Sequence, residues 1–314
     1  MVENFLDLVI GGPDMSGTTT QIDDIINYFQ EQGKIVRDLR GTEIDALFHA
    51  EVFFKYNKDY TNLQEFLNNT KVTRKKNLIF KLTELARKSK LSSMVRNDVS
   101  MYITPNSADV WISEEPPKRG AGQTNRFIEQ NRSKWDSSID PQAAAVSHSV
   151  YRIEEFFRFR QPLRKAGKIL LRSRSEESAP YQIYDKEKLS NGISLSDYLN
   201  LPGHEFAFGY APTHIFIACA PLEEDWTTEK YLELKNQREG DRKLDDHELN
   251  PSYQVLVNQR YASNWLETLY EKGCKMYRGK VPEIYRFNML LPLGQIKEQM
   301  LGRLTNIIDK MEEA

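Results

Sequence analysis

Gly12-Pro13-Asp14-Met15-Ser16-Gly17-Thr18-Thr19 has the spacing of a phosphate-binding loop, G-x-x-x-x-G-K-[ST], with Thr18 in the place of lysine. Glycines at this separation let main-chain N–H groups curl around a phosphate, and a helix starting behind them adds the partial positive charge of its N-terminus. Thr19 would bring a hydroxyl to Mg²⁺, and Thr20 continues the helix start. Without the ammonium that would bridge the β- and γ-phosphates, such a loop needs positive charge from elsewhere in the chain. The plain alternative is a Gly-rich strand-to-helix turn with no ligand. Other chemistries find no support. The five histidines include no H-E-x-x-H, and no G-x-S-x-G elbow occurs. Cys219 and Cys274 are too few for a disulfide framework or a four-cysteine zinc site.

The elements around the loop have the patterns such a site requires. Leu6-Asp7-Leu8-Val9-Ile10 reads as a short, mostly apolar strand. Ile22, Ile25, Ile26 and Phe29 then fall at helical spacing, and Gly33 is a plausible stop. Further strands are expected at 34–36, 109–112, 168–171 and 214–218. Helical patterns lie between most of them: one carries Phe156, Phe157 and Phe159 before Pro162, one spans about Tyr253 to Lys272, and the last runs from about Gln295 to Met311. Strand, loop and helix in alternation predict an α/β fold with a doubly wound parallel sheet. Residues 41–107 interrupt it with apolar positions at helical spacing (Leu78, Ile79, Leu82, Leu85) and a basic cluster, Lys71, Arg74, Lys75 and Lys76. This stretch reads as a helical insertion whose lysines form either a solvated face or a surface for an anionic partner.

Composition bounds the rest. The chain has 314 residues, 43 Lys+Arg against 45 Asp+Glu, and a formal charge of −2. Hydrophobic residues at 39% and charged residues at 28% are ordinary for a folded chain, so disorder is excluded and no globally basic nucleic-acid binder is indicated. No apolar run approaches the ~18–20 residues of a bilayer span, and no signal peptide is expected, which makes the cytoplasm the expected compartment.

Four blocks carry a likeness to a known family. The first is Val9 to Gln21, strand, loop with internal Asp14, and Thr-Thr-Gln helix start. The second is Ser113-Glu114-Glu115-Pro116-Pro117-Lys118-Arg119-Gly120-Ala121-Gly122 with Arg126 and Ile128 downstream. The third joins Tyr151-Arg152, Pro162 to Leu171, and Ser173-Arg174-Ser175-Glu176-Glu177-Ser178-Ala179-Pro180-Tyr181-Gln182. The fourth is Arg238-Glu239-Gly240-Asp241-Arg242 followed by Leu244-Asp245-Asp246-His247-Glu248. Through these blocks the sequence resembles the thymidylate kinase family of nucleoside monophosphate kinases, over about residues 5–35 and 109–310. It departs from the family at Thr18, at Glu114 (arginine in the family) and at Ser173 (acidic in the family). Lysine-free loops also occur in related cytidylate kinases.

The resemblance implies a three-layer P-loop NTPase fold: residues 1–40 and 108–314 form the kinase domain, 41–107 the insertion, and about 236–250 a lid. It implies transfer of the γ-phosphoryl group of ATP to dTMP, with Mg²⁺ as cofactor. Gly12, Pro13, Asp14, Met15, Ser16, Gly17, Thr18, Thr19 and Thr20 would bind ATP, with Thr19 on the metal. Glu115, Arg126, His148, Arg152, Arg174, Ser178, Tyr181 and Gln182 would bind the acceptor, with His148 at the base-stacking position. Asp14, Arg174, Arg238 and Arg242 would serve the transfer, Arg238 and Arg242 by closing over the donor phosphates. Two other outcomes remain open: a kinase of the same fold with another nucleotide or nucleoside acceptor, or a nucleotide-binding protein of little catalytic power. The family likeness also leaves room for a homodimer.

Overall fold

A computed structural model describes residues 5–40, 105–116, 141–179, 193–238 and 250–313. The chain divides into two compact units, Met1–Asp38 with Pro105–Ala314, and Leu39–Thr104. The expected insertion falls on the second unit and, up to residue 104, lies outside the described residues; the first resumes in a single helical turn, Pro105–Ser107.

The first unit is α/β. Its strands are β1 (Leu6–Gly11), β2 (Val36–Asp38), β3 (Val110–Glu114), β4 (Ile169–Ser173), β5 (His214–Cys219) and β6 (Glu283–Asn288). They form one six-stranded sheet in the order β2-β3-β4-β1-β5-β6, with every pairing parallel. Parallel neighbours need crossovers, and helices supply them on both faces. These are α1 (Thr18–Glu31), α2 (Pro141–Glu155), α3 (Gln161–Lys165), α4 (Leu195–Leu199), α5 (His204–Gly209), α6 (Thr228–Arg238), α7 (Pro251–Ala262), α8 (Trp265–Tyr277) and α9 (Leu293–Glu312). The result is the three-layer arrangement of a P-loop-like fold. Among the described residues, no helix is long and apolar enough to cross a membrane.

Strand alternation sorts the core into two layers. Leu6, Leu8 and Ile10 pack with Ile22, Ile25 and Phe29 of α1 and with Ile296, Met300 and Leu304 of α9. Val9, Ile215 and Ile217 pack on the other face against Phe208, Tyr261, Leu269 and Tyr270. Asp7 also belongs to that second layer, and so a carboxylate is fully enclosed in the sheet's central strand.

Several expected boundaries are corrected. β2 begins at Val36 rather than Lys34, because the Ile35 N–H donates to the Asp109 carboxylate and its carbonyl accepts from Asp109 and Val110, which ends the connecting turn there. The aromatic helix before Pro162 contains a π-helical turn, Phe156–Arg160, which buries Phe156, Phe159 and Arg160 together. The single helix expected from Tyr253 to Lys272 is two, α7 and α8, separated at Ser263–Asn264. Ser263 leaves the helix with extended backbone, its hydroxyl donates to the Arg260 carbonyl and accepts from the Trp265 N–H, and Arg286 holds the Tyr261 and Ser263 carbonyls. β6 escaped the sequence pattern because it pairs only with β5 and carries mostly half-buried, polar residues.

Candidate functional site: the loop after β1

Sheet order reverses about β1, whose neighbours are β4 and β5, and a crevice at the carboxyl ends of strands at such a switch point is where α/β folds bind ligands. The loop from Gly12 to Gly17 leaves β1 there. Gly12 (φ 147°) and Gly17 (φ 80°) occupy backbone regions that favour glycine, and a side chain at Gly12 would run into the Ala218 carbonyl of β5. Met15 also takes a positive φ (66°) and is wedged among Ala218, Ala220, Trp226, Tyr231, Leu234 and Met289.

Gly17 is the N-cap of α1, a 14-residue helix with no side-chain cap, so its first-turn N–H groups have neither an intrahelical acceptor nor a capping side chain. Uncapped donors at the positive end of a helix dipole are the physical requirement for holding a phosphate. Two other amides of the loop are engaged: Ser16 N–H donates to the Pro13 carbonyl (3.2 Å), and Asp14 N–H donates to Gln254 Oε1 (3.3 Å). Three buried polar atoms here, Ser16 Oγ, Gln21 Oε1 and Glu177 Oε2, have no hydrogen-bond partner among the described residues. Buried polar groups are ordinarily hydrogen-bonded, so each of these atoms calls for a partner such as water, an ion or a ligand group.

The loop is gripped from three elements. Arg174, at the end of β4, donates to Asp14 Oδ1 (2.7 Å). Gln254, in the first turn of α7, donates through Nε2 to Asp14 Oδ2 (2.6 Å). Arg238, the last residue of α6, donates to the Met15 carbonyl (2.7 Å) and to the Met289 carbonyl (2.8 Å). Burial lowers the Arg238 pKa, and among the described residues no carboxylate is paired with it. Arg238 therefore holds the loop through the Met15 carbonyl, and it brings a cation to a loop that has no lysine.

On the other side of the loop, Glu177 is fully buried and lies against Gly11, so closely that a side chain at Gly11 would collide with its carboxyl. It accepts from the Ser178 hydroxyl (3.3 Å). Burial, partly offset by Arg174, pushes its pKa up to about 8, so the group is chiefly neutral near pH 7. Its neighbour Glu176 behaves oppositely. Burial alone would raise it, but Arg160 and Arg172 hold it well below the usual carboxylate range. Arg172 joins Asp7 (2.7 Å), Ser175 (2.8 Å) and Glu176 (3.4 Å), and Arg160 joins Glu176 (3.1 Å) and Asp7 (3.4 Å). This enclosed network supports the β4 end that presents Arg174.

A further cluster lies off the end of β3. Glu115, whose N–H donates to the Ser173 carbonyl (2.8 Å), accepts from Arg152 Nε (2.8 Å) and Nη2. Arg152 Nη1 donates to Tyr198 (3.0 Å) and His204 Nε2 (3.1 Å). Burial, then the Arg152 charge, lowers His204 to about 3, which leaves it neutral and able to accept from the guanidinium. His148 is buried, with Nδ1 2.7 Å from the Tyr151 hydroxyl and the two rings edge to face.

The expected residues thus fall into three groups. Gly12 to Thr20, Arg174, Arg238 and Ser178 gather at the loop; Ser178 meets it through Glu177. Glu115, Arg152 and His148 lie at the β3 side, with Arg152 only 3% exposed and engaged with protein partners. Arg126, Tyr181, Gln182 and Arg242 lie outside the described residues. Gln254 and the Asp7 network are not among the residues the sequence marks out. A glutamine in a helix's first turn and an acid inside a strand carry no motif, although the Asn250-Pro251 cap does mark the start of α7.

Among the described residues no group of three or more His, Cys, Asp or Glu could hold a metal ion. The exposed Thr19 hydroxyl at the start of α1 suits a magnesium ion that arrives on its nucleotide, since Mg²⁺ keeps several waters and is commonly held by few protein groups plus phosphates. No protein-family model matches the chain, and no curated protein matches it.

Proposed function

We propose that the protein is an ATP-dependent phosphotransferase, which passes the γ-phosphoryl group of ATP to a nucleoside monophosphate, dTMP in the first instance, in the cytoplasm. The observation that carries this reading is the uncapped start of α1 behind a glycine loop, where Ser16, Gln21 and Glu177 each bury a polar atom with no hydrogen-bond partner among the described residues. In this reading the amides of Gly17 to Thr19 hold the donor phosphates, and Thr19 would offer its hydroxyl to Mg²⁺, which would supply charge neutralisation for the transfer. An acceptor oxygen attacks the γ-phosphorus, the bond to the bridging oxygen breaks, and ADP leaves. Arg174 lies beside the loop to receive developing charge, and Arg238 strengthens the loop's potential from behind.

A second reading, the same chemistry on another nucleotide or on a nucleoside, is favoured by Arg152. Its guanidinium is engaged with Glu115, Tyr198 and His204, which already use its Nε, Nη1 and Nη2 groups. A coupled ADP-release assay with Mg·ATP separates the two, across the four deoxynucleoside monophosphates and their nucleosides. Turnover with dTMP supports the first reading and turnover confined to other acceptors the second. ATP binding without turnover on any acceptor would leave only a nucleotide-binding protein.

A further inference from the structure

Helix α7 meets the switch-point crevice through two carboxamides one turn apart. Asn258 accepts from the Ala220 N–H (2.8 Å) and donates to the Ala220 carbonyl (3.1 Å), fixing α7 to the chain just beyond β5. Gln254, fully buried, makes the corresponding two-point contact with Asp14, accepting from its N–H and donating to its carboxylate. Because Asp14 supplies one donor and one acceptor, only one orientation of the Gln254 amide satisfies both. The carboxylate oxygen that Gln254 leaves over is the one that receives Arg174. Gln254, Asp14 and Arg174 therefore form a chain from the first turn of α7, across the loop, to the end of β4.

Resting on the phosphotransferase reading, we propose that Gln254 is a positioning residue for the transfer: by fixing the Asp14 carboxylate it sets where the Arg174 guanidinium stands over the phosphates. Helix-start amides, which Gln254 does not touch, hold the donor. Loss of Gln254 therefore acts on turnover more than on ATP binding.

The test is Gln254→Glu, compared with wild type in the ADP-release assay from pH 6 to pH 8. A second carboxyl facing Asp14 at hydrogen-bond distance cannot remain ionised beside it without a large penalty, so the pair binds a shared proton in acid. That proton restores a donor to Asp14 and frees its other oxygen for Arg174. Arg174, Glu177 and Tyr261 also act electrostatically on this group of residues, but they are present in both proteins and largely cancel in the ratio. The expected result is a variant-to-wild-type kcat ratio that rises about tenfold as pH falls from 8 to 6, with the KM for ATP within about threefold of wild type. A purely structural role would give a flat ratio, and a flat ratio with active wild type overturns the inference alone. If Gln254→Glu does not fold, Gln254→Leu carries the test: kcat at least about tenfold lower at near-constant KM for ATP supports the inference, and a rise in KM alone overturns it. Wild-type protein that binds ATP but transfers nothing overturns the phosphotransferase reading, and with it any part for Gln254 in transfer.

Discussion

The Glu177 carboxyl occupies the space that a side chain at Gly11 would fill, at the point where β1 gives way to the Gly12–Gly17 loop. This close approach ties the acidic end of β4 to the loop. Gly11→Ala is expected to destabilise the protein by about 1–3 kcal/mol through overpacking. Gly11→Ala with Glu177→Ala should recover part of that loss, which a double-mutant cycle on denaturant unfolding measures.

Glu177 also predicts a pH dependence of stability. Its carboxyl has an ordinary pKa once unfolded and a folded value raised to about 8. A raised folded pKa gives a contribution that is full below the unfolded pKa and is lost as pH rises through the folded one. Glu177→Gln, which mimics the neutral acid, should match wild type near pH 4 and exceed it increasingly up to pH 8. Melting curves should show a Tm advantage of about 5 °C or more at the alkaline end.

Removing Arg238 should weaken the donor site without touching the helix-start amides. Arg238→Ala leaves the Met15 and Met289 carbonyls without this partner and withdraws a nearby cation. ATP affinity should fall about tenfold, by calorimetry. Arg238→Lys keeps the charge but cannot fork between two carbonyls, so an intermediate loss is expected.

Gly17→Val places a β-branched residue at φ 80° and a β-carbon 3.3 Å from Leu293 Cδ2. It also blocks the approach to the α1 amides. ATP binding should drop at least about a hundredfold, and about 1–3 kcal/mol of strain should appear in unfolding.

Arg152→Ala should show first in stability. The change leaves the Glu115 carboxylate without its buried partner and removes the donor to Tyr198 and His204. Breaking such a pair from one side costs about 3–5 kcal/mol, to be read from denaturant unfolding. A variant of wild-type stability with only a weaker acceptor KM would contradict this arrangement.

The glycine loop and the helix behind it were legible because they are local. A fixed glycine spacing, an apolar strand before it and period-3.6 apolar residues after it all lie within residues 6–29. The same holds for β4 and β5, whose apolar cores announce strands buried on both faces. What the sequence hid depends on distant pairing. Asp7 looks like a polar interruption of β1 until Arg172 and Arg160, more than 150 residues away, are seen to enclose it. Gln254 becomes a site residue only through a contact across 240 positions. The motif around Arg152 likewise says nothing of Glu115, Tyr198 and His204, which converge on it.

Every residue of β1 is buried, and the strand is bonded to β4 on one side and β5 on the other. No small fluctuation can expose its central amides, since both adjoining ladders would have to part. Hydrogen–deuterium exchange at Leu8, Val9 and Ile10 should accordingly proceed only through global unfolding, and the protein's slowest-exchanging protons should lie a few residues from the Gly12–Gly17 loop.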